Sequence, residues 1–102
     1  MGKRIRLPVE ENLQALIERV RSLAHRSGVV YIDNPHVKKR MRERKVSNWQ
    51  VLDVLRKGKC VDGPTKDKYG DWRIKMKKFS AGRTVQVVVV IEQKHLEVVT
   101  VI

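Results

Sequence analysis

Apolar residues at Val9, Leu13, Leu16, Ile17, Val20, Leu23 and Ala24 recur with the spacing of one helical face. That stripe predicts a first helix from Pro8 to Ser27. Pro8 suits the first helical position, Glu10 and Glu11 complement the positive end of the helix dipole, and Gly28 is placed to end it. Val29-Val30-Tyr31-Ile32 is short and β-branched, as a strand would be. In Asp33-Asn34-Pro35, Asn34 reads as an N-cap and Pro35 as the first residue of a second helix, which should end near Arg44 or Lys45. Ser47 with Gln50 three residues later is a capping box that opens a third helix. Its inner face is read as Val51, Leu52 and Leu55, and Gly58 closes it.

Beyond Gly58 the period changes to two. Trp72, Ile74 and Met76 alternate with Arg73, Lys75 and Lys77, the signature of a strand with one buried face. Ser80-Ala81-Gly82 makes a turn. Val85 to Ile91 is almost continuously apolar, which predicts a central strand covered on both faces. Glu92-Gln93-Lys94-His95 turns the chain into a last strand from Leu96 to Ile102, and a short strand at Lys59 to Asp62 can pair with the Trp72 strand. The fold class is therefore α+β, with N-terminal helices packed on one face of a three- to four-stranded antiparallel sheet. Residues 1–102 suffice for one domain with one modest core.

Charge adds a partner class. Lys and Arg number 23 against 11 acids, a net charge of +12, which favours a polyanion: nucleic acid, an anionic membrane or an acidic protein. Membrane is the weakest of these, because no apolar run approaches the roughly 18 residues of a spanning helix. Met1-Gly2-Lys3-Arg4 leads into no signal-peptide core, and Arg6 stands where myristoylation needs Ser or Thr. Cys60 is the only cysteine, so an internal disulfide and a paired-cysteine zinc site are excluded, and a cytoplasmic location is expected. Cys60 itself reads as a small buried hydrophobe.

The basic residues crowd between His36 and Ser47. His36, Arg40 and Arg44 are four residues apart and form one ridge of a helix, next to the apolar pair Val37 and Met41. With Val37 and Met41 in the core, the ridge is expected at the rim where helix meets sheet. There His36 could act as general acid or base while Arg40 and Arg44 grip a phosphate. The same ridge could equally be solvated surface, with the arginines paired to nearby acids. Lys38, Lys39, Arg42 and Lys45 occupy the outer face, offset only by Glu43, and suit contact with a nucleic-acid backbone. Arg73, Lys75 and Arg83 extend the basic surface, and Tyr69 could stack on a base. Trp49 and Trp72 read as core anchors. His25 and His95 have no constellation around them, the acids are scattered, and no metal or cofactor motif is present.

The set His36-x-x-x-Arg40-Met41-x-x-Arg44-x-Val46-Ser47, Val51-x-x-x-Leu55-x-x-Gly58, Asp71-x-Arg73, Gly82-Arg83, Val87-Val88-Val89 and Val98 to Ile102 resembles the DUF4258 family. The resemblance covers residues 29–102 and leaves the helix in 1–28 as an addition; where the family usually has glycine between the helices, this chain has Lys45. The family is similar in turn to the RelE/ParE-like toxins, including the BrnT and MqsR types. That resemblance implies a RelE-like fold and a toxin that cleaves mRNA, or acts at the ribosome, and is neutralised by an acidic antitoxin. It implies cleavage without metal, by attack of a 2′-hydroxyl on the adjacent phosphate. His36 would then transfer protons, Arg40 and Arg44 would hold the scissile phosphate, and Arg73 and Arg83 would extend the contact. A non-catalytic nucleic-acid-binding module, or a basic protein that docks an acidic partner, are the alternatives.

Overall fold

The computed structural model describes residues 9–26, 29–66, 68–92 and 94–102, with side chains from Leu13 onward. The elements run α1 (Val9–Ala24), β1 (Val30–Tyr31), α2 (Pro35–Arg44), α3 (Asn48–Lys57), β2 (Lys59–Lys66), β3 (Trp72–Ser80), β4 (Arg83–Ile91) and β5 (Leu96–Val101). The expected α1 boundaries at Pro8 and Gly28 lie outside the described residues. The other helix boundaries follow from local chemistry. Asn34 Oδ1 accepts from the His36 N–H at 2.8 Å. Ser47 and Gln50 form the reciprocal capping box, with bonds of 3.2 and 2.9 Å.

The sheet differs from the expected three to four antiparallel strands. It has five strands in the order β1-β5-β4-β3-β2, and it is mixed. The meander β2 to β5 is antiparallel, whereas β1 runs parallel to β5, with Val30 opposite Leu96 and Tyr31 opposite Glu97. The extra strand arises because the backbone after α1 passes the free edge of β5, where the Leu96 N–H donates to the Val29 carbonyl at 2.8 Å. Edge groups of the meander thereby gain partners.

All three helices contribute to a single core on one face of the sheet, where Val20, Val37, Val51 and Leu55 meet Ile74, Met76, Val87 and Val98. β4 lies in the middle of the sheet as its apolar run predicts, but helices cover only one of its faces. Val90 is 6 % exposed and yet stands outside that core. Its face is covered by side chains instead: Arg73 lies opposite Val90 and Lys75 opposite Val88, placing long aliphatic stems over the valines.

Two further expectations are corrected. Trp49 is 60 % exposed and is not a core anchor. The buried face of α3 is Gln50, Val51, Val54 and Leu55, and Trp49 lies roughly 160° around the helix from Val51 at about 100° per residue. Leu52, expected on the inner face, is only half-buried, because Val54 is nearer the centre of that face. Trp72 does pack against the core.

Candidate nucleic-acid interface

α2 carries five cations, Lys38, Lys39, Arg40, Arg42 and Arg44, against Glu43. It is pinned by two buried side chains, Val37 and Met41, which seat it over β5. Its C-terminus closes in a Schellman arrangement: the Val46 N–H donates to the Met41 carbonyl at 2.9 Å, and the Lys45 N–H to the Arg42 carbonyl at 3.2 Å. Lys45 holds φ 57° and ψ 45°, the left-handed conformation that usually selects glycine. This position therefore carries a lysine ammonium at the cost of local strain.

The ridge His36-Arg40-Arg44 is divided. His36 and Arg40 share a shallow hollow of about 240 Å³ with Lys39 and Glu43, so its lining comes wholly from α2. Only Arg44 reaches the end of the sheet, where it lines a hollow of about 60 Å³ with Val46, Arg83, Thr84 and Ile102. The expected pocket at the helix–sheet rim is thus replaced by two small hollows, because α2 packs chiefly on β5 and only its C-terminal Arg44 comes beside β4.

A more spacious concavity lies on the opposite flank of α2. A groove of about 670 Å³ runs between α2, the β1–α2 connection and the start of α3. Lys38, Arg42 and Lys45 stand along it, Met41, Val46, Val30 and Ile32 provide its apolar lining, and Asp33, Ser47 and Asn48 add polar groups. Its volume falls in the range of small-ligand sites. Of the four residues placed on the outer face from sequence, Lys38, Arg42 and Lys45 line this groove, whereas Lys39 lines the hollow with His36 and Arg40. The spacing i, i+4, i+7 of Lys38, Arg42 and Lys45 gives one cationic edge, but the apolar lining comes from three separate segments, which no local pattern announces.

On the open face of the sheet, Arg73 and Lys75 line a hollow of about 200 Å³ with Asp62, Thr65, Val88 and Thr100. Tyr69 is 78 % exposed, with the Lys68 ammonium 5.5 Å from its ring centre. It stands apart from the groove residues, in the connection between β2 and β3. Phe79, which the sequence reading passed over, is also exposed. The Gln50 amide donates to the Ser80 carbonyl at 3.0 Å, so the first turn of α3 abuts the β3–β4 turn, and the exposed Trp49 and Phe79 flank that contact.

Among the described residues, two titratable groups are shifted. The Ser80 hydroxyl lowers the Asp53 carboxyl, burial opposes it, and Lys78 and Lys57 lower it further. Burial pushes the Cys60 thiol up, with Asp62 acting in both directions. Cys60 is half-buried against the core rather than sealed within it.

His95 also has neighbours that the linear reading missed. The β4–β5 hairpin brings Glu92, His95 and Glu97 together, with ligand-type atoms all within 4.8 Å of one another. The signal was Glu-x-x-His-x-Glu spanning a hairpin, where cross-strand pairing folds distant positions onto one face.

No helix among the described residues is long and apolar enough to cross a membrane. A family model described as a domain of unknown function, DUF4258, matches residues 34–102. No curated protein and no solved structure matches the chain.

Proposed function

The chain belongs to the DUF4258 family, and from that premise we propose that it is an RNA-binding protein of the RelE-like toxin type, which grips single-stranded RNA through α2. The observation that carries this reading is the groove of about 670 Å³ in which Lys38, Arg42 and Lys45 stand beside an apolar lining. Phosphates are held by the cations while a base leaves water against Met41, Val46 and Ile32. The exposed rings of Trp49 and Phe79 supply stacking surfaces of the kind single strands use. The antiparallel meander β2 to β5 after α2 and α3 supports the toxin resemblance in part, although the parallel strand β1 departs from it.

Anisotropy titrations of a labelled single-stranded RNA and a DNA duplex, each at several salt concentrations, test the reading. RNA affinity falls linearly with log salt. Replacing Lys38 and Arg42 with Ala weakens binding and reduces the slope by roughly one per lost phosphate contact. Binding that ignores either the salt or these two residues excludes the groove as the site. Tighter binding to the duplex, or co-purification of a small acidic protein in place of RNA, moves the function to another polyanion.

Cleavage is a second reading, favoured by one observation: His36 and Arg40 share a hollow next to the basic face. In that reading His36 removes the proton from a ribose 2′-hydroxyl while Arg40 neutralises charge on the phosphate under attack. The 2′-oxygen bonds to phosphorus as the P–O5′ bond breaks, and the leaving 5′-oxygen takes up a proton from solvent, giving a 2′,3′-cyclic phosphate and a free 5′-hydroxyl. Mapping RNA ends after incubation with wild type and His36→Ala decides it: ends that persist in the variant remove His36 from the reaction, and an absence of ends leaves a binding protein.

A further inference from the structure

We propose that Glu92, His95 and Glu97 form a binding site for a divalent zinc-class ion on the sheet face opposite the helices. The backbone register sets the geometry. The Glu92 N–H donates to the His95 carbonyl at 2.9 Å, so these residues face each other across the mouth of the β4–β5 hairpin. Ile91 pairs with Leu96 and both turn into the core; Glu92, His95 and Glu97 therefore project from the other face. Glu97 is opposite Tyr31 of β1, and the Tyr31 ring stacks on the His95 imidazole at 4.3 Å with the planes 25° apart. Stacking holds the imidazole plane in place, and His95 Nε2 lies 4.0 Å from Glu92 Oε2.

The donor set is what such an ion takes. One imidazole nitrogen and two carboxylate oxygens suit zinc or manganese better than magnesium, which rarely takes an imidazole. Two carboxylates and a neutral imidazole balance a dication. All three residues are half-buried, so the ion would be partly shielded from water. Their ligand-type atoms lie within 4.8 Å of one another, so the carboxylates have to draw in to reach an ion at about 2.0–2.2 Å. In a chain of charge +12, two carboxylates held this close are an unusual concentration of acid. Among the described residues Glu97 has no ion-pair partner. Three protein ligands leave at least one position of a tetrahedral ion to water. Bound there, the ion ties the start of β5 to the residue that follows β4, with β1 linked to the site through the Tyr31–His95 stacking.

The chain has three histidines, which makes the test direct. Imidazole ¹⁵N spectra are recorded during titration with zinc chloride, alongside calorimetry and thermal melts with zinc, manganese and magnesium chloride. The expected result is one equivalent of zinc bound, with the His95 resonances moving while His25 and His36 stay. His95→Ala and Glu97→Gln each lose at least ten-fold in zinc affinity, and zinc raises the melting temperature of wild type but not of His95→Ala. Amide spectra of the two variants establish that they fold. Resonance changes at His25 or His36 in place of His95, unchanged affinity in a folded His95→Ala, or no stoichiometric binding would each overturn the site. None of these readouts depends on RNA, so the groove proposal stands or falls separately.

Discussion

Arg21 and Arg56 cap each other's helices. Arg21 on α1 donates to the Gly58 carbonyl beyond the end of α3 at 2.9 Å, and Arg56 on α3 donates through Nε to the Ala24 carbonyl at the end of α1 at 2.7 Å. Each guanidinium thus sits at the negative pole of the other helix and satisfies a carbonyl that has no partner within its own helix. α1 lies outside the stretch matched to the family, yet Val20, Leu23 and Ala24 share the core of the remaining elements. Each arginine replaced by Ala is expected to destabilise the fold by about 1 kcal/mol. Removing residues 1–28 uncovers the apolar face that α1 shields and costs several times more. Urea melts of the two variants and of the truncated chain check this; a truncated chain as stable as wild type would show that α1 merely rests on the core.

Gly58 is required by close approach rather than by its backbone angles, since its φ is −76°. A Cβ added there would press into the Val54 carbonyl oxygen and lie 2.8 Å from that of Lys77, both backbone atoms that cannot swing aside. Gly58→Ala therefore forces α3 away from β3. A loss of about 2 kcal/mol is expected, read as a fall in the denaturation midpoint. A neutral substitution would mean that the helix end relaxes at no cost.

These two features mark what the sequence could and could not disclose. Asn34, Ser47 and Gln50 act on groups two or three residues away, so the start of α2 and α3 was legible as local chemistry. The end of α3 at Gly58 was legible for a similar reason, but not the proximity to Lys77 that makes glycine necessary. β1 has only two paired residues, and its pairing with β5 spans the length of the domain, so no pattern in Val29 to Ile32 could show it. The run Val85 to Ile91 predicted a central strand and also suggested two covered faces, because apolarity alone does not distinguish a helix from lysine and arginine stems as the cover. The histidine ridge was legible as spacing, but its division between two hollows depends on where α2 meets the sheet.

Asp53 makes the clearest prediction for pH. Its Oδ2 accepts from the Ser80 hydroxyl at 2.7 Å and from the Lys78 ammonium at 3.0 Å, joining α3 to β3. The Ser80 bond is the first cause of its lowered pKa, and the lysines reinforce it against burial. A carboxyl lowered on folding adds stability above its ordinary unfolded value, and that contribution is lost as pH falls through the folded value. Asp53→Asn should cost on the order of 1 kcal/mol at neutral pH. The gap between wild type and variant should stay constant down to about pH 4 and close below it. Paired melts from pH 7 to pH 2.5 test the sign; a gap that widens in acid would contradict the assignment.

Lys45 connects the fold to the proposed function. Its left-handed backbone places a β-carbon where glycine would carry none, a strain of about 1 kcal/mol. The same residue lends an ammonium group to the groove beside Lys38 and Arg42. If the lysine is held there for phosphate contact, Lys45→Gly should raise stability by up to about 1 kcal/mol while weakening RNA binding and lowering its salt slope by roughly one. Lys45→Ala separates the two effects, since it keeps the strain but loses the charge. It should bind as weakly as Lys45→Gly without the gain in melting temperature. Unchanged RNA binding in both variants would leave the strained lysine without a role in the groove. Weaker binding in both, with a melting temperature raised only in Lys45→Gly, would show that binding and stability make opposing demands on this one position.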